Sequence, residues 1–380
     1  MLINARRRVT PTSLPGGVYS GAEFISRQWI EALKTNWSTK DIIIVGDSTT
    51  RGFGSGSGDG WVDAVNNSPP AFLAARLAAR GFDAANDSWF ASGNSEVITN
   101  GFATSNANNV VGASWITQGL PAATAGGQFI SDSTGTSLMS YTSKTPCTGF
   151  LVHYRRATGS LSVQIDAESA QTWDVSLTST GSVSTGIQRR LISAAGSGIH
   201  TLKLSRISGA PLIAAVEAVG VSNRKDVLNL GWAGSQAANW ANSDIPTSPL
   251  PAMAEVIRAR TAPIFLPPLG INDQNLGRTA AQFQADMQTI VSTGIAAGGL
   301  PLVVIHQATF TTPSVDYANA ARTVAATNGC PCLDLRTFLG TWAQMQAAGY
   351  TFDQSSHLTA AGSSAVAVAY DNFLAWAVAQ

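Results

Sequence analysis

Charge is what this chain has least of. Only 12% of its 380 residues are Asp, Glu, Lys or Arg, about half of the roughly 25% usual in soluble domains. The 23 basic and 23 acidic residues cancel. A polyanion binder shows a basic excess, so no nucleic-acid partner is expected, a local patch aside. Cysteine is scarce as well, with Cys147, Cys330 and Cys332 alone. An odd count argues against a disulfide framework. Cys330 and Cys332 flank one proline in GCPCLDL, a spacing that does not suit a four-ligand zinc site. They read as buried thiols beside a strand. Long apolar runs are missing too. A long uncharged stretch, between Asp286 and Asp316, is interrupted by Thr, Ser, Gly298-Gly299 and Pro301. A membrane span of about 20 apolar residues is therefore not expected. The N-terminal MLINARRRVTPTS is basic with no apolar segment behind it, so no secretory leader is read there. The expectation is a cytoplasmic protein, or one that leaves the cell by lysis or a non-classical route. The run Arg6-Arg7-Arg8 reads as a solvated tail, or as an attachment segment if the protein is a virion part.

Gly, Ser, Thr, Asn and Ala take the place of charge. Polar, uncharged surfaces of this kind suit work outside the cell or on a virion. Hydrophobic residues still make up 44% and aromatics 8%, which excludes a wholly disordered chain. The length allows two or three domains, or one elaborated domain.

Periodicity divides the chain. Residues 1–38 open with a Pro/Gly-rich loop and a helix in GAEFISRQWIEALKTN, with Phe24, Ile25, Trp29, Ile30 and Leu33 on one face. In DIIIVGDSTTRG, four consecutive β-branched residues, Ile42 to Val45, predict a strand buried on both faces. A helix in PPAFLAARLAARGF follows, with Pro in its first turn, then a second strand in DAANDSWF. Over 104–224 a period of two takes over, in GFLVHYRR, SLSVQIDA, IHTLKLSRI and PLIAAVEAVGV. No helical period is convincing there, and an all-β sandwich is expected. From 225 to 380 strands and helices alternate again. VLNLGW, PIFLPPLG, LPLVVIH and CPCLDL are the strands. SPLPAMAEVIRAR, RTAAQFQADMQTIVSTGIAAG, SVDYANAARTVAATNG and the C-terminal TAAGSSAVAVAYDNFLAWAVA are the helices. In the second of these, Phe283, Met287, Ile290, Val291 and Ile295 share one side. The predicted fold class is α/β, a parallel sheet between helix layers, interrupted by the β-insertion. The expected units are 1–38, 39–103, 104–224 and 225–380.

Loops after the carboxyl ends of parallel strands converge on one edge. Three such loops carry Gly46-Asp47-Ser48, Gly234 and Gly270-Ile271-Asn272-Asp273; a fourth, before the last helix, carries Asp353 and His357. A serine needs a base to become a nucleophile. His357 titrates near neutrality and can take and return a proton. A carboxylate at Asp353 would fix its tautomer. The backbone N–H groups of Ser48 and Gly234 and the Asn272 amide supply three donors for a tetrahedral oxyanion.

These four blocks, GDSTTRG, NLGWAGS, LGIND and DQSSHLTAAG, resemble those of the SGNH hydrolases, also called the GDSL esterase/lipase superfamily. The resemblance implies a three-layer α/β/α fold and a serine esterase with no metal or other cofactor. Ser48 is the implied nucleophile, His357 the base, Asp353 the acid, and Ser48, Gly234 and Asn272 the oxyanion hole. Similar enzymes with appended β-modules act mostly on O-acetylated carbohydrates, which would make an acetylated glycan the partner. The sequence departs from the family pattern in places. Three residues, Gln354, Ser355 and Ser356, separate Asp353 from His357 where two are usual. The choice is between a bulged turn that still joins the pair and a Ser–His dyad. Pro267 and Pro268 before LGIND require that strand to end early. Gly93 in SWFASGN rivals Gly234 as the oxyanion glycine.

Trp232, Arg51 and His306 are candidate substrate contacts. The blander alternatives are a core tryptophan, a solvated loop pair of Arg51 with Asp59, and a packing or capping histidine. Trp61, Trp89 and Trp240 lie near the same loops and read mainly as core. His153, His200, Asp47 and Asp273 read as structural. Two other functions stay open: a glycan-binding or attachment protein on an esterase-like scaffold, and a lipase or thioesterase for longer acyl chains.

Overall fold

The computed structural model describes residues 25–56, 65–90, 110–112, 115–118, 129–132, 135–136, 138–155, 158–175, 187–220, 223–242, 249–309, 315–353 and 356–380. The Ile42–Gly46 strand lies inside a parallel sheet. It pairs with Lys225–Gly231 on one side and Ile264–Leu266 on the other. Leu300–Pro301 and Ala84–Ala85 complete the two ends. Ile42, Ile43, Ile44 and Val45 are all fully buried, as a strand covered on both faces must be. Val303–Ile305 pairs in parallel with Cys332–Asp334 in a separate two-stranded ladder.

Helices cover both faces. The Pro69–Ala79 and Ala360–Ala379 helices pack together, with Arg27–Lys34 beside the latter. Ala280–Ala296 packs against Val315–Asn328, Pro249–Arg258 and Ala237–Ala241. The Arg27–Lys34 helix is tied to the body by Trp29, whose indole N–H donates to the Pro301 carbonyl at 2.8 Å. Ile25, Trp29, Ile30 and Leu33 are buried; Phe24 lies outside the described residues. In Ala280–Ala296 the expected face holds for Phe283, Met287, Ile290 and Val291 but not for Ile295, which is 41% exposed. Gly294 takes the inward place instead. A Cβ there would meet the Phe265 ring at 2.2 Å, so only glycine lets the helix approach that ring.

The middle of the chain forms two antiparallel sheets. One runs Gln171–Asp174, Gly159–Ile165, Thr201–Gly209, Leu138–Thr142, Val110–Val111. The other runs Ile187–Gly198, Cys147–Arg155, Leu212–Val219, Phe129–Asp132, Trp115–Gln118. A second core, including Tyr141, Phe150, Val152, Tyr154, Leu161, Trp173, Leu202 and Leu204, lies apart from that of the α/β layers. DAANDSWF divides rather than forming one strand. Ala84–Ala85 joins the parallel sheet, whereas Ser88–Phe90 pairs antiparallel with Leu212–Val219. Strand pairing of the insertion thus begins at Ser88, before the expected boundary at 104, which itself lies outside the described residues. The chain leaves the α/β layers and returns to them side by side.

Candidate active site

The site sits at the carboxyl edge of the parallel sheet. Gly46 and Gly231 are register partners, so the central strand and its neighbour end level. A Cβ on Gly46 would lie 2.0 Å from the Thr50 hydroxyl, and one on Gly231 2.5 Å from the Arg51 nitrogen. Both glycines let the short Ser48–Arg51 helix rest directly on the strand ends. Asp47 caps that helix: its Oδ1 accepts from the Thr49 N–H at 2.9 Å and the Thr49 hydroxyl at 2.7 Å. Burial raises the Asp47 carboxyl above its ordinary range, and the Thr49 bonds offset part of this. Its reading as a backbone-bonding residue matches this geometry.

Ser48 Oγ lies 2.9 Å from His357 Nε2. On the far side of the ring, Nδ1 hydrogen-bonds the Asp353 carboxylate. The other Asp353 oxygen accepts from the Ser356 N–H at 2.9 Å and the His357 N–H at 3.1 Å. The carboxylate therefore orders both the ring and the turn that presents it. On either side of the three-residue separation, Phe352 N–H donates to the His357 carbonyl at 2.9 Å and Thr351 bridges to Leu358. Gln354 and Ser355 lie outside the described residues. The Phe53 ring meets the imidazole at 4.4 Å between centroids, at 90°, and Phe352 packs edge-on to Phe53 at 5.7 Å. The loop after the nucleophile thus packs directly on the loop carrying the base.

The two remaining loops are laced to the first. Trp232 N–H donates to the Gly46 carbonyl at 2.8 Å, and Ser235 Oγ donates to the same oxygen at 3.2 Å. The Asn272 amide donates to the Ser235 carbonyl at 2.9 Å. That bond uses one of its two N–H groups and fixes the plane of the other. Asp273 accepts from the Ala237 N–H at 2.9 Å. Burial pushes its carboxyl up to about 6, against the pull of that N–H and of Arg278. Gly234 has φ of 78° with nothing within 4 Å of a would-be Cβ, so backbone conformation rather than space calls for glycine there. Among the described residues, neither the Ser48 nor the Gly234 N–H is donated to an acceptor. Gly93 lies outside the described residues.

The candidate substrate contacts fare differently. Trp232 is half-buried and packs edge-on to the buried Trp240 at 6.2 Å. Arg51 is neither solvated nor facing a substrate cleft. It is 1% exposed, and its guanidinium donates to the Phe90 carbonyl at 2.9 Å. Burial lowers its pKa to about 10. The one-turn helix ends at Arg51 and turns that side chain inward. His306 is likewise buried, with Nδ1 donating to the Gln307 carbonyl at 2.7 Å. Burial lowers its pKa to about 4, so it is a neutral packing histidine beside Gly270. Trp89 is core; Trp61 and Asp59 lie outside the described residues. His153 is buried against Glu217, and His200 bonds Asp166 at 2.7 Å. The three cysteines are buried free thiols; burial raises the Cys330 pKa to about 12.

Sequence reasoning missed Ser235, Phe53 and Gln307. Ser235 is the knot between three loops, and NLGWAGS contained it. Gln307, also buried, donates to the Ser356 carbonyl at 3.0 Å and so braces the His357 loop. Its only signal was its place just beyond the strand in LPLVVIHQ.

The fold of the chain is similar to that of a peptidoglycan O-acetylesterase, with a TM-score of 0.62 and 14% identity over 92% of this chain and 96% of that one. The chain has the SGNH-type hydrolase fold. Two further solved structures overlay less closely on this chain. The YXIM protein of Bacillus subtilis gives a TM-score of 0.34 and 15% identity over 67% of this chain and 85% of that one. A family two carbohydrate esterase from Cellvibrio japonicus gives 0.30 and 10% over 66% and 91%. No model of a protein family matches the sequence, and no curated protein matches it significantly. Among the described residues no helix is long and apolar enough to cross a membrane, and no group of three His, Cys, Asp or Glu side chains converges as metal ligands would.

Proposed function

We propose that this protein is a serine esterase that removes acetyl groups from a carbohydrate through an acyl-enzyme. The observation that carries the reading is the continuous hydrogen-bonded line from Ser48 Oγ through the His357 ring to Asp353. His357 Nε2 takes the Ser48 proton as Oγ attacks the ester carbonyl. Asp353 holds Nδ1 protonated and stabilises the imidazolium that forms. The oxyanion is met by the Ser48 and Gly234 N–H groups and the second Asn272 N–H. Collapse breaks the C–O bond to the sugar, and His357 returns its proton to the departing hydroxyl. Water then attacks the acetyl-serine, giving its proton to His357, and acetate leaves as Ser48 is reprotonated.

The carbohydrate part of the reading draws on the similarity of fold to a peptidoglycan O-acetylesterase and on the β-insertion beside the α/β layers. Acetate release from a panel of acetylated polysaccharides tests it, with the Ser48→Ala variant as blank. Release by the parent protein alone is expected. Equal release by the variant would refute the nucleophile, and a preference for long acyl chains would select a lipase or thioesterase instead.

A further inference from the structure

The two antiparallel sheets each end on one side of the sandwich in a terminal strand, Gln171–Asp174 in one and Ile187–Gly198 in the other. Between them opens a cavity of about 260 Å³. Its floor is apolar, with Val163 and Ile165 buried and Ile192 half-buried. Its rim is polar and exposed: Glu168, Gln171 and Arg190. Arg190 lies over the Trp173 ring at 5.0 Å from its centroid, which holds the guanidinium at the cavity wall. The Gln164 amide donates to the Glu168 carbonyl at 2.7 Å, which fixes the backbone there. Glu168 and Arg190 line one cavity, yet among the described residues neither has an ion-pair partner.

We propose that this cavity is a non-catalytic binding site for one pyranose ring of a neutral glycan. A carboxylate only accepts hydrogen bonds, a guanidinium only donates them, and an amide does both. A ligand that satisfies all three presents groups that donate and accept from adjacent atoms, as the hydroxyls of a sugar ring do. An anion would face Glu168 and a cation Arg190, so the balanced pair selects against a charged ligand. The apolar floor matches the C–H face of such a ring. The volume is below the roughly 300–1,000 Å³ of drug-sized sites, so the cavity holds one ring of the glycan and the rest extends into solvent. Arg190 covers the Trp173 face, so recognition rests on the polar rim rather than on aromatic stacking. Arg189, the preceding residue, donates to the Glu255 carbonyl at 3.2 Å. Arg189 and Arg190 point to opposite faces of the strand, so the strand rests on the Pro249–Arg258 helix by one face and carries the cavity on the other, and a glycan held there stays tethered to the α/β body.

The test uses the full chain and unacetylated oligosaccharides of mannose, xylose, N-acetylglucosamine and a uronic acid, titrated by calorimetry or ligand-observed NMR. At least one neutral series is expected to bind. Arg190→Ala and Glu168→Ala should each weaken it about tenfold or more, the loss of a hydrogen bond to a charged group. Both variants should keep the parent melting temperature and its rate on a small soluble acetyl ester. Failure of every neutral series, binding of the uronate series alone, or binding unchanged in both variants would overturn the proposal. An inactive parent protein that still binds sugar through these residues would overturn the esterase reading and leave this one standing.

Discussion

Glu217 is the place where a single proton should be felt by the whole molecule. It lies in the Leu212–Val219 strand of the insertion and is buried. It pairs with Arg260, which precedes the Ile264–Leu266 strand of the α/β sheet, and with His153 Nε2 at 2.5 Å. Arg260 also reaches Asp41 at 3.2 Å. Burial alone would raise the Glu217 carboxyl; the Arg260 guanidinium and then His153 outweigh it and bring it from 4.5 down to about 2. A depressed carboxylate contributes stability that is complete above its unfolded value and is lost as pH falls toward the folded one. That fall corresponds to about 3 kcal/mol, of which about 2 kcal/mol is gone by about pH 3. Glu217→Gln removes the titrating group and breaks the buried pair, at a cost of about 3–5 kcal/mol near neutrality. Urea unfolding of parent and variant from about pH 7 to about pH 3 measures the difference. It should shrink by about 2 kcal/mol across the acid half of that range. A difference that stays constant with pH would refute the claim that Glu217 is held ionised by Arg260 and His153.

Asp353→Asn should reduce kcat/KM on a small acetyl ester by more than about tenfold, since the amide presents the wrong partner to Nδ1; a near-silent change would leave a Ser48–His357 dyad. Asn272→Ala should lower kcat by about 100- to 1000-fold with little effect on KM, and a pure KM effect would remove Asn272 from the oxyanion hole. Gly294→Ala drives a methyl into the Phe265 ring and should cost about 1–3 kcal/mol of stability, read as a lowered urea midpoint with unchanged slope; no change would mean that the helix shifts freely.

The parts legible in the sequence were those that local pattern fixes. Ile42 to Val45 announced a strand buried on both faces, and Pro267 announced where Ile264–Leu266 stops. The loops holding Ser48, Gly234 and Asn272 could be placed together because parallel strands put their carboxyl ends on one edge. What escaped depended on contacts distant in sequence. Ile295 was expected on the inward side of its helix, but Gly294 takes that place, because only its bare backbone fits the Phe265 ring. Arg51 was read as a substrate contact or as a solvated partner of Asp59, yet its acceptor is the Phe90 carbonyl at the end of another strand. The Ile187–Gly198 strand was passed over because its pattern is irregular, and its pairing with Cys147–Arg155 shifts register between Ser193 and Gly198.

The side-by-side exit and return of the chain at Ser88–Phe90 and Leu212–Val219 bears on the order of folding. Ala84 and Lys225 are register partners in the parallel sheet, yet a long excursion separates them. Closing it as random coil costs roughly 2 kcal/mol more of chain entropy than closing a ten-residue loop. If the antiparallel unit condenses first, it draws the two ends together and short-circuits that loop. The last parallel contact then forms as if between near neighbours, which favours a nascent chain whose middle sets before its two outer segments join.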